Sequence, residues 1–236
     1  DEAGLEKISA EIYRWANPVR STKKRYNRTL MNKIKVATHN GFFHADEVFA
    51  LAVLRICFDK KGLEIEILRT RDIDKIATAD IVVDVGQEYN PEKGKFDHHQ
   101  KNKVADRENG IPYASFGLIW KHFGKEITSE KVIELVDKKL ITPIDALDNA
   151  MNISTSIFKD INDYSINSAI HAIGNSYSEE EKDKGFDKAL EFAVLVLKGE
   201  ISKAEEKIEG EKQTIDAILK QNEPDILILE KYASWG

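Results

Sequence analysis

The side chains that could do chemistry in this sequence are concentrated in four short strings. The first, His39-Asn40-Gly41-Phe42-Phe43-His44-Ala45-Asp46-Glu47, places two imidazoles and two carboxylates within nine residues. Gly41 lets the backbone turn sharply enough for His44 and Asp46 to converge with His39, and Asp46 can also cap a helix that starts there. A solvated loop with an N-cap and incidental histidines is the bland alternative. The second string is Ile81-Val82-Val83-Asp84-Val85, where a carboxylate inside an apolar run is costly unless it is paired or binds a cation. A hydrogen-bonded structural Asp at a strand end is the other reading. The third, Phe96-Asp97-His98-His99-Gln100, joins a carboxylate to adjacent histidines. His98 can offer a nitrogen to metal, His99 can serve a phosphate oxygen, and Asp97 can orient a ligand imidazole through its other N–H. A surface loop would also tolerate these residues. In the fourth, Ile144-Asp145-Ala146-Leu147-Asp148-Asn149, the two acids are three apart and share one helix face, which suits either a common site or ordinary solvent-facing charge.

Together, His39, His44, Asp46, Asp84, His98 and Asp148 form a nitrogen and oxygen ligand set without sulfur. Such a set suits two Mn²⁺ ions, with Mg²⁺ an alternative, better than thiolate-seeking metals. Asp148 is the preferred ligand of its pair, with Asp145 supporting it. Two ions about 4 Å apart activate water and stabilise the leaving oxygen in phosphoryl transfer, so phosphoester hydrolysis is the expected reaction. His99 then acts on phosphate as donor or acid. Arg69 and Arg71 could clamp a phosphate from a strand end, or pair with acids such as Asp72. His122 and His171 have no motif around them and read as core or surface residues.

These strings need a scaffold that brings strand ends together. Ile34–Thr38 alternates and is β-branched, Asp46–Phe58 has the length and apolarity of a buried helix, and Ile65–Thr70 and Ile81–Val85 repeat the strand signal. Ile73–Thr78 suits a short helix. The expected fold is therefore α/β, a parallel sheet with helices on both faces and the reactive loops at its carboxyl edge. Tyr113–Phe123 and Glu130–Asn149 read as helices, the second bent or divided by Pro143. The Asn-, Ser- and Thr-rich stretch 151–162 is expected to be a linker. It separates a domain at 31–150 from a smaller α+β lobe at 163–236, in which Glu179–Leu197 and Glu200–Gln221 look like two amphipathic helices and Ile226–Leu229 like a strand. Residues 1–30 read as an extension ahead of Met31, and the second lobe as cut short after Trp235.

Composition narrows the setting. With 236 residues and 42% hydrophobic content, the chain can bury a substantial core. A net charge of −6 spread over both signs announces no extended basic surface. Lys93, Lys95, Lys101, Lys103 and Arg107 offer the one local basic cluster. Cys57 is the only cysteine, which excludes an internal disulfide and a Cys-rich zinc site and fits a reducing, cytoplasmic compartment. The basic residues of 1–30 resemble a transit peptide, but Asp1, Glu2, Glu6 and Glu11 count against one. No apolar run reaches the roughly 18 residues of a membrane span, so no membrane partner is expected.

As an ordered set, the strings Thr38–Glu47, Arg69–Asp72, Ile81–Gly86, Phe96–Gln100, Ala114–Trp120 and Ile144–Asn149 resemble the DHH phosphoesterases, and most closely the MYG1 family. The resemblance implies a DHH-type domain joined to a smaller substrate-binding lobe. It also implies a manganese-favouring 3′→5′ exonuclease or phosphodiesterase acting on RNA or short oligonucleotides. Eukaryotic relatives are linked to nucleus and mitochondrion. The sequence departs from the family where Asn167-Ser168-Ala169-Ile170-His171 replaces a stretch that usually carries arginine and proline, and where Ala150 replaces a usual glycine. A pyrophosphatase or small-nucleotide phosphatase would use the same metals, and a binding domain without turnover would keep the ligands alone.

Overall fold

The computed structural model describes residues 33–100, 106–161, 163–174, 178–220 and 229. Five strands form one sheet: β1 (Lys33–Thr38), β2 (Glu64–Arg69), β3 (Ile81–Val83), β4 (Tyr89–Asn90) and β5 (Lys95–Phe96), in the order β2-β1-β3-β5-β4. β1 pairs in parallel with β2 along its whole length and with β3 on its other edge, and β3 pairs in parallel with β5. The expected all-parallel sheet is corrected by β4, which runs antiparallel to β5. The short 3₁₀ turn Pro91–Lys93 makes that reversal, and Gly94 closes it at φ +67°. A Cβ at Gly94 would meet the Asp80 carbonyl, so this corner requires glycine.

Helix α1 (Ala45–Asp59) is buried all round except at Arg55 and Asp59. A helix apolar on every side must be covered on every side. Here the sheet, α3 (Ser115–Ile127) and α7 (Glu179–Lys220) cover it. Along β1 and β3, Val36, Ile81 and Val83 point into this large core, while Ala37 and Val82 point the other way. On that opposite face they meet Ile76 of the short α2 (Ile73–Ile76) and Val85. Helices thus flank both faces, but very unequally among the described residues.

The helical stretch 130–149 is neither simply bent nor cut. It runs as α4 (Glu130–Val136), a π turn at Asp137–Ile141, and α5 (Thr142–Asp148). Pro143 has no N–H to offer and sits at the start of α5, just after the widened turn, where the Thr142 N–H reaches the Asp137 carbonyl. α5 ends in a left-handed cap: Ala150 has φ +56°, its N–H bonds Leu147 O at 3.0 Å, and Met151 N–H bonds Ala146 O at 2.8 Å.

After an irregular, exposed segment come α6 (Ile166–Gly174) and α7. The two helices expected at 179–221 are a single helix, because Gly199 faces open space and nothing forces a break there. Phe186, Ala189, Leu190, Ala193 and Leu197 join the same buried cluster as α1. The expected strand Ile226–Leu229, the extension 1–30, and Lys101 and Lys103 lie essentially outside the described residues.

Candidate metal centre

The loops leaving β1, β3 and β5 at their carboxyl ends meet the start of α1 and the end of α5. His39 directly follows β1 and is nearly inaccessible. Its Nε2 lies 3.0 Å from Glu47 Oε1 and 3.4 Å from Asp84 Oδ2. Glu47 is fully buried, and both its oxygens accept the His44 backbone N–H, which fixes the first turn of α1. Glu47 belongs to the first string, where its position one residue after Asp46, on the buried side of the helix start, is the sequence signal for its place in the site.

Asp84 follows β3 with φ +54°, a left-handed conformation that costs a non-glycine residue about 1 kcal/mol. That turn aims its carboxylate at three histidines. Oδ2 faces His39, while Oδ1 lies 3.4 Å from His98 Nε2 and 3.4 Å from His99 Nδ1, and accepts the Ser115 hydroxyl at 3.2 Å. His98 Nε2 is also 3.0 Å from Asp148 Oδ2. Despite these short distances, that buried nitrogen makes no hydrogen bond of acceptable geometry, so it points between carboxylates rather than at one.

Asp46 and Asp145 are held by a helix that has no cap of its own. The residue before α3 is Ala114, which cannot cap it. Asp46 instead accepts from Ser115 N at 3.1 Å and Phe116 N at 2.7 Å, and Asp145 accepts from Gly117 N at 3.1 Å. The positive end of α3 therefore fixes acids from α1 and α5 together. Asp145 turns its other oxygen to Arg107 Nη2 at 2.7 Å. Asp148, one turn further on, is the member of the pair that faces His98.

Among the described residues, three groups of donors lie close enough to share a cation: His39, Glu47 and Asp84; Asp46, His98 and Asp148; and Asp84, His98 and His99. Asp84 and His98 are common to two groups each. His44 joins none of them among the described residues. Its half-exposed ring has Nδ1 4.0 Å from Asp148 and packs 5.6 Å, centroid to centroid, from His171. His171 is thus at the mouth of the site, which no motif announced. Asp97 orients His99 rather than His98: its Oδ1 accepts both the His99 N–H and Nδ1–H at 2.9 Å, and Oδ2 accepts Gln87 N–H at 2.6 Å.

Arg69, weighed as a phosphate clamp or an ion-pair partner, and Arg107, counted in the local basic cluster, are both engaged internally. Arg69 donates to the Gly41 carbonyl at 2.6 Å, pairs with Asp183 and stacks on Phe186, tying the first loop to α7. Arg107 is buried between Asp137 and Asp145 and does not contribute to a basic surface. Arg71 is exposed, and His122 is half-buried with Nε2 2.9 Å from the Tyr89 hydroxyl.

The electrostatics follow from packing acids and imidazoles away from water. Burial opposes charge on His39 and His98, yet Asp84 and Glu47 raise the first to about 10, and Asp148 and Asp84 raise the second to about 11. Burial would raise Asp84, but His39 and His98 hold it well below the ordinary carboxylate range. Asp46 is pushed up, first by burial and then by Asp148 and Asp84. Asp97 raises His99 by hydrogen bonding. Crowded acids, a buried imidazole nitrogen without a hydrogen bond and sulfur-free donors fit a pair of hard or borderline divalent cations.

The MYG1 exonuclease family model, described as an uncharacterised protein family (UPF0160), matches residues 35–236. The chain belongs to the MYG1 family. Among relatives, it is 31% identical over 234 residues to the MYG1 protein of Dictyostelium discoideum, an alignment covering 87% of this chain and 69% of that protein. To the MYG1 exonuclease of Mus musculus it is 38% identical over 148 residues, covering 55% of this chain and 38% of the mouse protein. The MYG1 protein of Chlamydia trachomatis is 35% identical over 164 residues, covering 69% of this chain and 52% of that protein. The chain thus spans well under half the length of the mammalian relatives it matches. No solved structure matches it. No described helix is long and apolar enough to cross a membrane.

Proposed function

We propose that this MYG1 family chain is a metal-dependent phosphodiesterase that shortens RNA or short oligonucleotides from the 3′ end, with Mn²⁺ favoured and Mg²⁺ able to substitute. One observation carries the reading: separate ligand groups overlap through Asp84 and His98, the arrangement expected of two adjacent cations with shared ligands. The name of the mammalian relatives, MYG1 exonuclease, supports it.

In this reading His39, Glu47 and Asp84 hold one cation, and Asp46, His98 and Asp148 hold the other. When bound, such a pair supplies Lewis-acid stabilisation of the phosphoryl oxygens and makes water acidic enough to attack near neutral pH. The protein's own residues do the rest. Asp97 orients the His99 ring and favours its protonated form, in which Nε2–H is free to donate to a phosphoryl oxygen or to the departing 3′ oxygen. Asp46 and Asp84 stay fixed through the reaction because Ser115 and Phe116 hold them. The engagement of Arg69 and Arg107 in internal ion pairs removes both from the basic surface open to a polyanion among the described residues, which favours short substrates.

The test is hydrolysis of a 5′-labelled RNA oligomer, a dinucleotide and pyrophosphate, each with Mn²⁺, Mg²⁺ or EDTA, in wild type and His98→Ala. A ladder of labelled products that needs Mn²⁺ and vanishes in the variant is the expected result. Release of labelled mononucleotide alone would reverse the proposed polarity, and turnover of pyrophosphate alone would move the reading to a small-molecule phosphatase.

A further inference from the structure

The π turn between α4 and α5 decides which way Asp148 faces. Widening a helix by one residue rotates everything after it by about 100° relative to an uninterrupted α-helix. Asp145 and Asp148 lie downstream of that turn and share one face of α5. Without the widened turn, that face would be directed away from His98. Something must therefore hold the turn open, and Arg107 is placed to do it. Its Nε and Nη2 lie 3.3 and 3.0 Å from the two Asp137 oxygens at the first residue of the turn. The same Nη2 reaches Asp145 Oδ2, beyond the turn, at 2.7 Å. Nη1 donates to the Pro112 carbonyl at 3.4 Å, and the guanidinium stacks 4.0 Å from the Tyr113 ring centre. Thr142 Oγ1 adds a bond to Asp137 at 3.0 Å, closing the turn from the other side. A planar fork can face acids on both sides of the turn at once: it bonds both Asp137 oxygens and stands in ion-pair contact with Asp145 Oδ2, which makes no hydrogen bond of acceptable geometry.

We propose that Arg107 is a positioning residue: by clamping Asp137 to Asp145 across the π turn, it sets the rotation of α5 and so the place of Asp148 beside His98 and Asp46. This rests on the metal-site reading only for its effect on cations; the clamp itself is independent of them. It acts on one cation position and leaves the other alone, because His39, Glu47 and Asp84 make no bond to Arg107, Asp137 or α5 among the contacts described.

The test uses the full 236-residue chain. Removing Arg107 alone would strand the buried Asp145 charge and could unfold the protein, so the main variant is Arg107→Met with Asp145→Asn, which keeps an acceptor for the Gly117 N–H. Two readouts are taken. In metal-free protein, hydrogen exchange at the Asn149, Ala150 and Met151 amides, which cap α5, is expected to speed up at least tenfold, while the amides of β1 keep their protection. Unchanged protection at the cap overturns the clamp whether or not cations bind. In Mn²⁺ titrations, wild type is expected to show two sites and the double variant one site within twofold of wild type and one weakened at least tenfold. Asp148→Asn should give the same pattern, and combining it with the double variant should weaken binding no further. Independent, multiplying losses would overturn the assignment of Arg107 to Asp148. A wild-type chain that binds no Mn²⁺ would count against the metal reading and leave the exchange result to decide the clamp.

Discussion

The wall of the site formed by His39, Glu47 and Asp84 takes two of its three members from a single loop and the helix turn it enters. The wall formed by Asp46, His98 and Asp148 gathers its members from three distant stretches of the chain. The first is fixed locally, by the backbone bonds of Glu47 and the left-handed turn at Asp84. The second is fixed at a distance, by the amides of α3 and by Arg107. Side chains of the same types thus depend on very different amounts of structure. A local wall tolerates movement elsewhere; an assembled wall inherits every error in helix placement.

The largest effect should come from removing the group that links the walls: Asp84 belongs to the first and lies 3.4 Å from His98 of the second. Asp84→Asn is expected to abolish strong Mn²⁺ binding at both positions and to lower hydrolysis on the order of 10³-fold, read by calorimetry and by the RNA assay. Asparagine tolerates the left-handed backbone, so the fall in thermal midpoint should come from the His39 and His98 charges left without their partner, not from backbone strain.

Gly117→Ala separates the walls. A methyl group there would overlap the Asp145 carboxylate and crowd Arg107. It should destabilise the fold by about 2–3 kcal/mol in urea unfolding and weaken one Mn²⁺ position while sparing the other. Equal weakening of both would show that the walls are not independent.

A smaller effect concerns His122, which packs against Tyr89 and Phe96. Burial holds His122 at about 4, below its ordinary 6.5, so the folded protein keeps this ring neutral where the unfolded chain protonates it. Its contribution to stability is complete above pH 6.5 and is lost as pH falls from there to about 4. The loss is about 2 kcal/mol, allowing for the partly exposed ring. Chemical denaturation across that range should show the slope in wild type and not in His122→Phe.

The smallest change is a gain. Ala150 sits in a conformation that suits glycine, at the cap just after Asp148. Ala150→Gly should add about 0.5–1 kcal/mol of stability without altering Mn²⁺ binding.

How far the sequence anticipates this site differs between the walls in the same way. β1, α1 and β3 announce themselves by alternation and continuous apolarity, and the loops after β1 and β3 carry the residues that meet there. Hydrophobic period says nothing about where a distant helix end will land, so Asp148 could be preferred over Asp145 but not placed. Arg107 looked like surface charge because its two acid partners are far along the chain, and burial of an arginine leaves no local mark. Ser115 gave no signal beyond the string it belongs to. β4 and β5 are two residues each, too short for any period to register, and the π turn differs from an ordinary helix by a single residue. Arg69 illustrates the same limit, since Asp183 lies more than a hundred positions away.

The uncapped start of α3 also has a consequence for the order of assembly. Its first amides find their acceptors only on α1 and α5, so that helix end is satisfied only when all three helices have docked. Until then Asp46 and Asp145 are acids without a common holder, and the second wall does not exist. A chain that is still folding carries at most the local half of the centre, and completion of the helical packing and completion of the proposed cation site become a single event.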